Sequence, residues 1–241
     1  MTATLFAASH GTSSPAGQAA VRALVTRVAA ATTMPVVGCH VDVEQPDVPT
    51  AIAEARDADH AIVVPLLLSA GYHVFVDLAD AARSASIPAT VSAALGPDER
   101  LVDVLARRLD EAGRTPHDSI VLAAAGSSDP RALEDCRRTG RMLAARLSTP
   151  VTVGFLSAAS PSLGDAVAEA RRTAPDSGVL VSTYLLAPGY FLDLVLQAGA
   201  DRVADPLLTP DSTPRQLVDV VLDRASDASA AAGLPEIVRL R

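Results

Sequence analysis

The sequence contains one pattern twice, and this internal repeat constrains the fold more than any other feature. A glycine follows an apolar run at Gly11 and again at Gly126, 115 residues later, and the same spacing separates Pro46 from Pro161. Leucine-rich segments farther along the chain match at spacings of 116 to 118 residues. Several anchors in the same order indicate a duplicated unit. We therefore predict two homologous domains, residues 1–114 and 119–241, the second of which ends in a short tail.

Each half alternates short apolar runs with longer helical stretches, which predicts an α/β fold. In the first half we expect strands at residues 4–8, 36–41, 61–68 and 89–93, and helices at residues 16–31, 49–55, 74–84 and 98–111. The strands are nearly continuous apolar runs, as expected for parallel strands that are covered on both faces. Strand–helix alternation builds right-handed units around an open parallel sheet. The predicted architecture is two open, doubly wound parallel-sheet domains that face a central cleft.

Composition and charge exclude several classes of protein. The chain has 20 basic and 28 acidic residues, a net charge of −8, so we expect no nucleic-acid partner. All the basic residues are arginines, which rules out Schiff-base chemistry on lysine. The apolar runs have strand length and no basic segment precedes the first of them. We therefore expect no membrane partner, no signal peptide and a cytoplasmic location.

The two cysteines, Cys39 and Cys136, are too few for a disulfide framework or for a zinc site made of cysteines alone. We expect both to be small buried apolar residues. The expected state of the chain is a monomer.

Three ionisable side chains follow successive strands of the first half. His10 follows the first strand, Asp42 the second and His73 the third. Open parallel sheets bind ligands beyond the carboxyl ends of their strands, so we expect these side chains to meet there. Imidazole and carboxylate groups suit either a first-row divalent metal or general acid–base catalysis. We therefore predict a catalytic site made of His10, Asp42 and His73.

The second half serves as an internal control for this prediction. At the positions that correspond to His10, Asp42 and His73 it has Ala125, Ser157 and Phe191. All three ionisable groups are replaced together, whereas the glycines and prolines of the repeat remain. We therefore expect one active site, carried by the first half, and a degenerate site in the second half.

In their sequence context these residues resemble the sirohydrochlorin chelatases. The resemblance depends on a strand that leads into His10-Gly11, an acidic residue shortly before Pro46, and the segment PLLLSAGYH that ends at His73. It covers nearly the whole chain and implies an enzyme that inserts Fe²⁺ into sirohydrochlorin for sirohaem biosynthesis. The alternative within the family is a cobaltochelatase of cobalamin biosynthesis. The resemblance further implies that the divalent metal is a substrate, that His10 and His73 bind it, and that no organic cofactor is needed.

The sequence departs from the family at one position of the site. Asp42 stands where the family has glutamate, and His40 stands where the family has phenylalanine. His40 shares the strand parity of Asp42 and is a weaker site candidate, and Glu44 is another. We expect His40 to have a packing role, because its counterpart in the repeat is the apolar residue Phe155.

The substrate implied by the resemblance carries eight carboxylates, and the net negative charge of the chain means that local donors must bind them. Gly11, Thr12 and Ser13 lead into a helix and offer backbone N–H groups to an anion, although turn formation alone explains such residues. Tyr72 is a candidate for the wall of the substrate site.

Two alternatives come from other classes of function. A protein that binds tetrapyrrole or metal without catalysing insertion would share the fold and the histidines. A phosphoryl-transfer enzyme that uses His10 would need arginines beside it, and no arginine occurs before Arg22. The fold by itself does not distinguish these functions.

Overall fold

The structure is a computed structural model that describes residues 2–69, 71, 78 and 80–240. The first half contains β1 (Ala3–Ser9), α1 (Pro15–Ala30), β2 (Val36–His40), α2 (Val48–Glu54), β3 (His60–Pro65), β4 (Ala89–Val91) and α3 (Glu99–Glu111). The second half contains β5 (Ser119–Ala124), α4 (Pro130–Leu147), β6 (Val151–Phe155), α5 (Leu163–Thr173), β7 (Val179–Tyr184), α6 (Tyr190–Leu196), β8 (Arg202–Val203) and α7 (Arg215–Ala231). Residues 80–83 are also helical. Most of the helix predicted at residues 74–84 lies outside the described residues.

The strands form two parallel sheets with the same topology. Their orders are β2-β1-β3-β4 and β6-β5-β7-β8, and every pair of neighbours is parallel. The register repeats as well, since Leu5 pairs with Val36 and Ile120 pairs with Val151. The predicted α/β fold with two homologous parallel-sheet halves is confirmed.

The predicted strand bounds were too long at the carboxyl ends. β3 ends at Pro65 and not at residue 68, and β4 ends at Val91 and not at residue 93. The neighbouring strand β1 ends at Ser9, and residues 66–69 pass into the wall of a cavity. An apolar run marks burial, so it does not distinguish a strand from a buried cavity wall.

One hydrophobic core is shared by the two halves, because each half covers its partner's sheet with its own last helix. α7 packs on β3, β4 and α1 of the first half, whereas α3 packs on β7 and α4 of the second half. Residues of both sheets and of both helices therefore belong to a single buried cluster. Two smaller clusters cover the opposite face of each sheet. Among the described residues, no helix has both the length and the apolar composition to cross a membrane.

A group of charged side chains holds α7 against the first half. Arg224 donates to the carbonyl oxygens of Ala94 and Leu95 at 2.7 and 2.9 Å. Asp98 caps α3 by accepting from the backbone N–H of Arg100 at 3.0 Å, and it forms salt bridges with Arg100 and Arg224. Burial disfavours the charged form of Asp98, but the hydrogen bonds and charge of Arg100, together with the charge of Arg224, outweigh this effect. They hold the pKa of Asp98 below its ordinary value.

The C-terminal tail adds a further connection between the halves. Arg239 forms an antiparallel bridge with Thr32, which lies in the connection between α1 and β2. The backbone N–H of Leu240 donates to the carbonyl oxygen of Ala31 at 2.8 Å, and Thr33 donates to Val238 at 3.2 Å. Residues 238–240 are thus held against the first half.

Candidate functional site

A cavity of about 740 Å³ lies between the two halves. It is lined by the residues that follow six strands, β1 to β3 in the first half and β5 to β7 in the second. The carboxyl ends of both sheets therefore point into one space, as expected for ligand sites of open parallel sheets. The volume falls in the range of cavities that enclose small organic ligands.

His10 is the ionisable residue that follows β1, and its exposed side chain lines this cavity. The loop after it is held tightly to the loop after β2, because the N–H of Asp42 donates to the carbonyl oxygen of His10 at 3.0 Å. Gly11 has a φ of +91°, and a methyl group there would overlap the carbonyl oxygen of Asp42. Glycine is therefore required at this close approach.

Asp42 does not reach the cavity. Its side chain is exposed, and its carboxylate accepts from the backbone N–H of the next residue, Val43, at 2.7 Å. Val43 has a φ of +66°, which is unusual for a β-branched residue and reverses the direction of the chain. The turn presents the next residue, Glu44, to the cavity in place of Asp42.

Glu44 is the carboxylate that the structure brings to the loop of His10. Its Oε1 accepts from the backbone N–H of Thr12 at 2.9 Å and lies 3.8 Å from Nδ1 of His40. Its side chain is only 15% exposed. Glu44 is the weaker candidate in the sequence, and the signal that favours it there is its position two residues after Asp42, on the same side of an extended chain.

His40 lies next to this carboxylate, and its side chain makes polar contacts in addition to packing. Its Nδ1 is 2.8 Å from Oγ of Ser9, a contact that follows from the pairing of Ser9 with His40 between β1 and β2. Ser9 and Glu44 line the cavity, and both lie close to Nδ1 of His40, which is not part of the lining.

The loop of Gly11, Thr12 and Ser13 lines the cavity as expected, but part of its hydrogen-bonding capacity is used internally. The N–H of Thr12 donates to Glu44, and the N–H of Ser14 donates to Oγ1 of Thr12 at 3.1 Å. Ser14 caps α1 by accepting from the N–H of Gly17 at 3.3 Å. The N–H groups of Thr12 and Ser14 are therefore not available to an anion in the cavity.

Two predicted site residues, Tyr72 and His73, lie outside the described residues. Their counterparts in the repeat, Tyr190 and Phe191, both line the cavity. Among residues 2–69, 71, 78 and 80–240, no group of three or more histidine, cysteine, aspartate or glutamate side chains could hold a metal ion.

The second-half wall of the cavity is mainly apolar. Ala125, Phe191 and the run from Leu185 to Pro188 line it. Tyr184 lies at its base, where its hydroxyl donates to the carbonyl oxygen of Leu68 in the first half at 2.9 Å. Burial raises the pKa of this hydroxyl far above its ordinary value, so it stays protonated and acts as a donor.

The two cysteines are both buried, as predicted. Burial raises the pKa of Cys39 to about 12 and that of Cys136 to about 11. Cys136 lines the cavity, but a thiol with such a pKa is neither a ready metal ligand nor a nucleophile near neutral pH.

Comparison with known proteins matches both halves of the chain to one family. The CbiX family model matches residues 4–112 and again residues 119–227. The sirohydrochlorin ferrochelatase of Priestia megaterium is 30% identical over 146 residues, which are 57% of this chain and 54% of that protein. The match therefore spans about half the length of that curated relative.

Two solved structures share the fold over nearly their full length. SirB from Bacillus subtilis with Fe³⁺ has a TM-score of 0.80 and 21% identity, over 98% of this chain and 99% of that chain. The sirohydrochlorin chelatase SirB from Bacillus subtilis subspecies spizizenii in complex with cobalt has a TM-score of 0.75 and 19% identity, over 97% and 98% of the two chains. The resemblance to the sirohydrochlorin chelatases is confirmed, and the chain belongs to the CbiX family.

Proposed function

We propose that this protein inserts a divalent metal ion, Fe²⁺ or alternatively Co²⁺, into sirohydrochlorin. The observation that carries the proposal is the cavity between the halves, which has His10 and Glu44 on one wall and a mainly apolar opposite wall. A polar wall suits a metal ion and protons, and an apolar wall suits the body of a macrocycle. The curated relative is a sirohydrochlorin ferrochelatase, and the two similar structures hold Fe³⁺ and cobalt.

In this proposal His10 delivers the metal ion. Its imidazole is exposed in the cavity, where a neutral ring nitrogen offers a lone pair to a first-row metal. A small number of ligands suits the reaction, because the ion must leave the protein for the macrocycle. In this proposal residues 1–114 carry the catalytic residues, and residues 119–241 form the opposite wall of the cavity. His73 as a second ligand, and Tyr72 as part of the wall, stay predictions.

Metal insertion releases two protons from pyrrole nitrogens, so the site needs a proton acceptor. We assign this role to Glu44, because its carboxylate is mostly buried, oriented by Thr12 and close to His40. His40, whose Nδ1 lies 3.8 Å from Oε1 of Glu44, is a second basic group beside it, so the two residues accept one proton each. Asp42 then acts on the site through the backbone, since its carboxylate binds the N–H of Val43 in the turn that presents Glu44. Gly11, Thr12 and Ser13 remain candidates for contact with the substrate carboxylates.

The test is a direct insertion assay with purified protein. Sirohydrochlorin is incubated under anaerobic conditions with Fe²⁺, and in parallel with Co²⁺, while the absorption of the macrocycle is followed. We expect insertion well above the rate without enzyme, and a loss of ~100-fold or more in His10→Ala. His117→Ala is the matched control, because His117 is also exposed but does not line the cavity.

Each result of this assay has a defined meaning. Equal rates for wild type and His10→Ala would contradict the assignment of His10. Binding of the macrocycle with no acceleration by the wild type would favour a non-catalytic binding protein. The ratio of the Fe²⁺ and Co²⁺ rates decides between the two metal substrates. The monomeric state, the cytoplasmic location and independence from an organic cofactor stay predictions.

A further inference from the structure

The mouth of the cavity carries an exposed aromatic side chain that the proposed chemistry does not use. Tyr190, the first residue of α6, is 72% exposed and lines the cavity. Large exposed apolar side chains are few among the described residues, and Val43, which also lines the cavity, is another. Exposed apolar side chains grouped at a cavity, unlike single ones scattered over a surface, mark ligand or partner sites.

The segment before Tyr190 is fixed against the loop that follows His10. A methyl group on Gly189 would lie 3.3 Å from Oγ1 of Thr12, so the backbone at Gly189 lies close to this side chain. A methyl group on Gly17, in the first turn of α1, would overlap the carbonyl oxygen of Pro188. Tyr190 is therefore held at a defined place relative to the first-half wall of the cavity.

Tyr190 does not stand alone at this place. Its ring centroid lies 5.9 Å from that of Phe191, with the ring planes tilted by 41°. Phe191 is partly buried and packs against the apolar cluster of the second half, so it fixes one member of the aromatic pair. Phe191 is also the counterpart of His73 in the repeat. The second half has an aromatic pair where the first half has a tyrosine and a histidine.

We propose that Tyr190 binds one face of the tetrapyrrole macrocycle and positions it for metal delivery from the first half. The inference rests on the proposed function, since it takes a planar, conjugated macrocycle as the ligand. An aromatic ring offers a large rigid contact area and favourable stacking to such a ligand, at a small cost in conformational entropy. In this arrangement one face of the macrocycle lies on the aromatic pair and the other is turned to His10.

The experiment measures binding of the metal-free macrocycle separately from its metallation. The chain is titrated with sirohydrochlorin without metal, and the dissociation constant is read from the absorption or fluorescence change. Wild type, Tyr190→Ala and Tyr190→Phe are compared, and KM and kcat for metal insertion are then measured. Leu196→Ala is the matched control, because Leu196 ends the same helix and is 61% exposed but does not line the cavity.

We expect Tyr190→Ala to raise the dissociation constant and KM by ~10-fold while kcat changes by less than about twofold. Tyr190→Phe retains the ring and is expected to bind like the wild type, as is Leu196→Ala. Unchanged binding in Tyr190→Ala, or equal losses in Tyr190→Ala and Leu196→Ala, would overturn the inference. A loss in Tyr190→Phe as large as in Tyr190→Ala would assign the effect to the hydroxyl and would overturn it as well.

The proposed function and this inference fail in different ways. Wild-type protein that binds the macrocycle through Tyr190 but inserts no metal would refute the chelatase activity and leave the role of Tyr190 supported. Wild-type protein that inserts metal equally well without the ring of Tyr190 would do the reverse. Protein that does not bind the macrocycle at all would refute both.

Discussion

Replacing Gly11 by alanine should destabilise the protein strongly and damage the site at the same time. The new methyl group would overlap the carbonyl oxygen of Asp42 and would lie 3.0 Å from its carbonyl carbon and 3.3 Å from the backbone nitrogen of Glu44. Alanine at a φ of +91° costs ~1–2 kcal/mol by itself, and moving packed backbone costs ~1–3 kcal/mol more. The lower entropy of the unfolded alanine variant offsets ~0.5 kcal/mol. We expect a net loss of ~3 kcal/mol.

The internal repeat provides a matched control for this prediction. Gly126 has a φ of +90°, and a methyl group there would overlap the carbonyl oxygen of Ser157 and lie 3.0 Å from its carbonyl carbon. Gly126→Ala should therefore lose a similar free energy of unfolding. It displaces Ser157, however, and not the segment that carries Glu44. We expect the activity per folded molecule to fall by ~10-fold or more in Gly11→Ala and to change little in Gly126→Ala.

Urea unfolding followed by circular dichroism measures the first quantity, and the metal-insertion assay corrected for the folded fraction measures the second. Because one hydrophobic core spans the two halves, we expect one unfolding transition for both variants. A loss of less than ~0.5 kcal/mol in either variant would refute the steric argument. Equal losses of activity per folded molecule would refute the assignment of the site to the first half.

Further predictions concern the carboxylates and the contact between the halves. Glu44→Gln should lower kcat by ~100-fold. Asp42→Asn retains an acceptor for the turn, so its kcat should stay within about threefold of the wild-type value. The reverse order in the insertion assay would refute our assignment. Tyr184→Phe removes the hydrogen bond to Leu68 and should cost ~1 kcal/mol in urea unfolding, and an unchanged midpoint would show that the bond contributes nothing. The pKa of Asp98 is lowered on folding, so its charge stabilises the fold above about pH 4 and this contribution is lost at lower pH. Between about pH 5 and pH 2 the unfolding free energy of Asp98→Asn should fall less than that of the wild type, and parallel curves would contradict this.

The repeat and the parallel sheets could be predicted from the sequence, because both leave strong local signals. Buried parallel strands require continuous apolar runs, and the close approaches at Gly11 and Gly126 require glycine. His10 was placed correctly in the cavity wall for the same reason, since the carboxyl end of a parallel strand is a defined location.

Which carboxylate lines the cavity could not be predicted from the sequence, because it depends on one backbone angle. Strand parity groups Asp42 with Glu44, and only the left-handed conformation of Val43 turns the second of them toward the cavity. Valine rarely adopts this conformation, so its residue type carries no signal for it. The contact between Ser9 and His40 depends in the same way on the register between two strands.

Because each half covers its partner's sheet with its own last helix, the two halves cannot fold one after the other during translation. The first sheet is complete once β4 has left the ribosome, but the helix that covers one of its faces, α7, follows all the strands of the second sheet in the chain. Apolar residues on that face of β3 remain exposed in the nascent chain until then. The first half therefore cannot bury that face by itself, and its folding is completed only after synthesis of the second half.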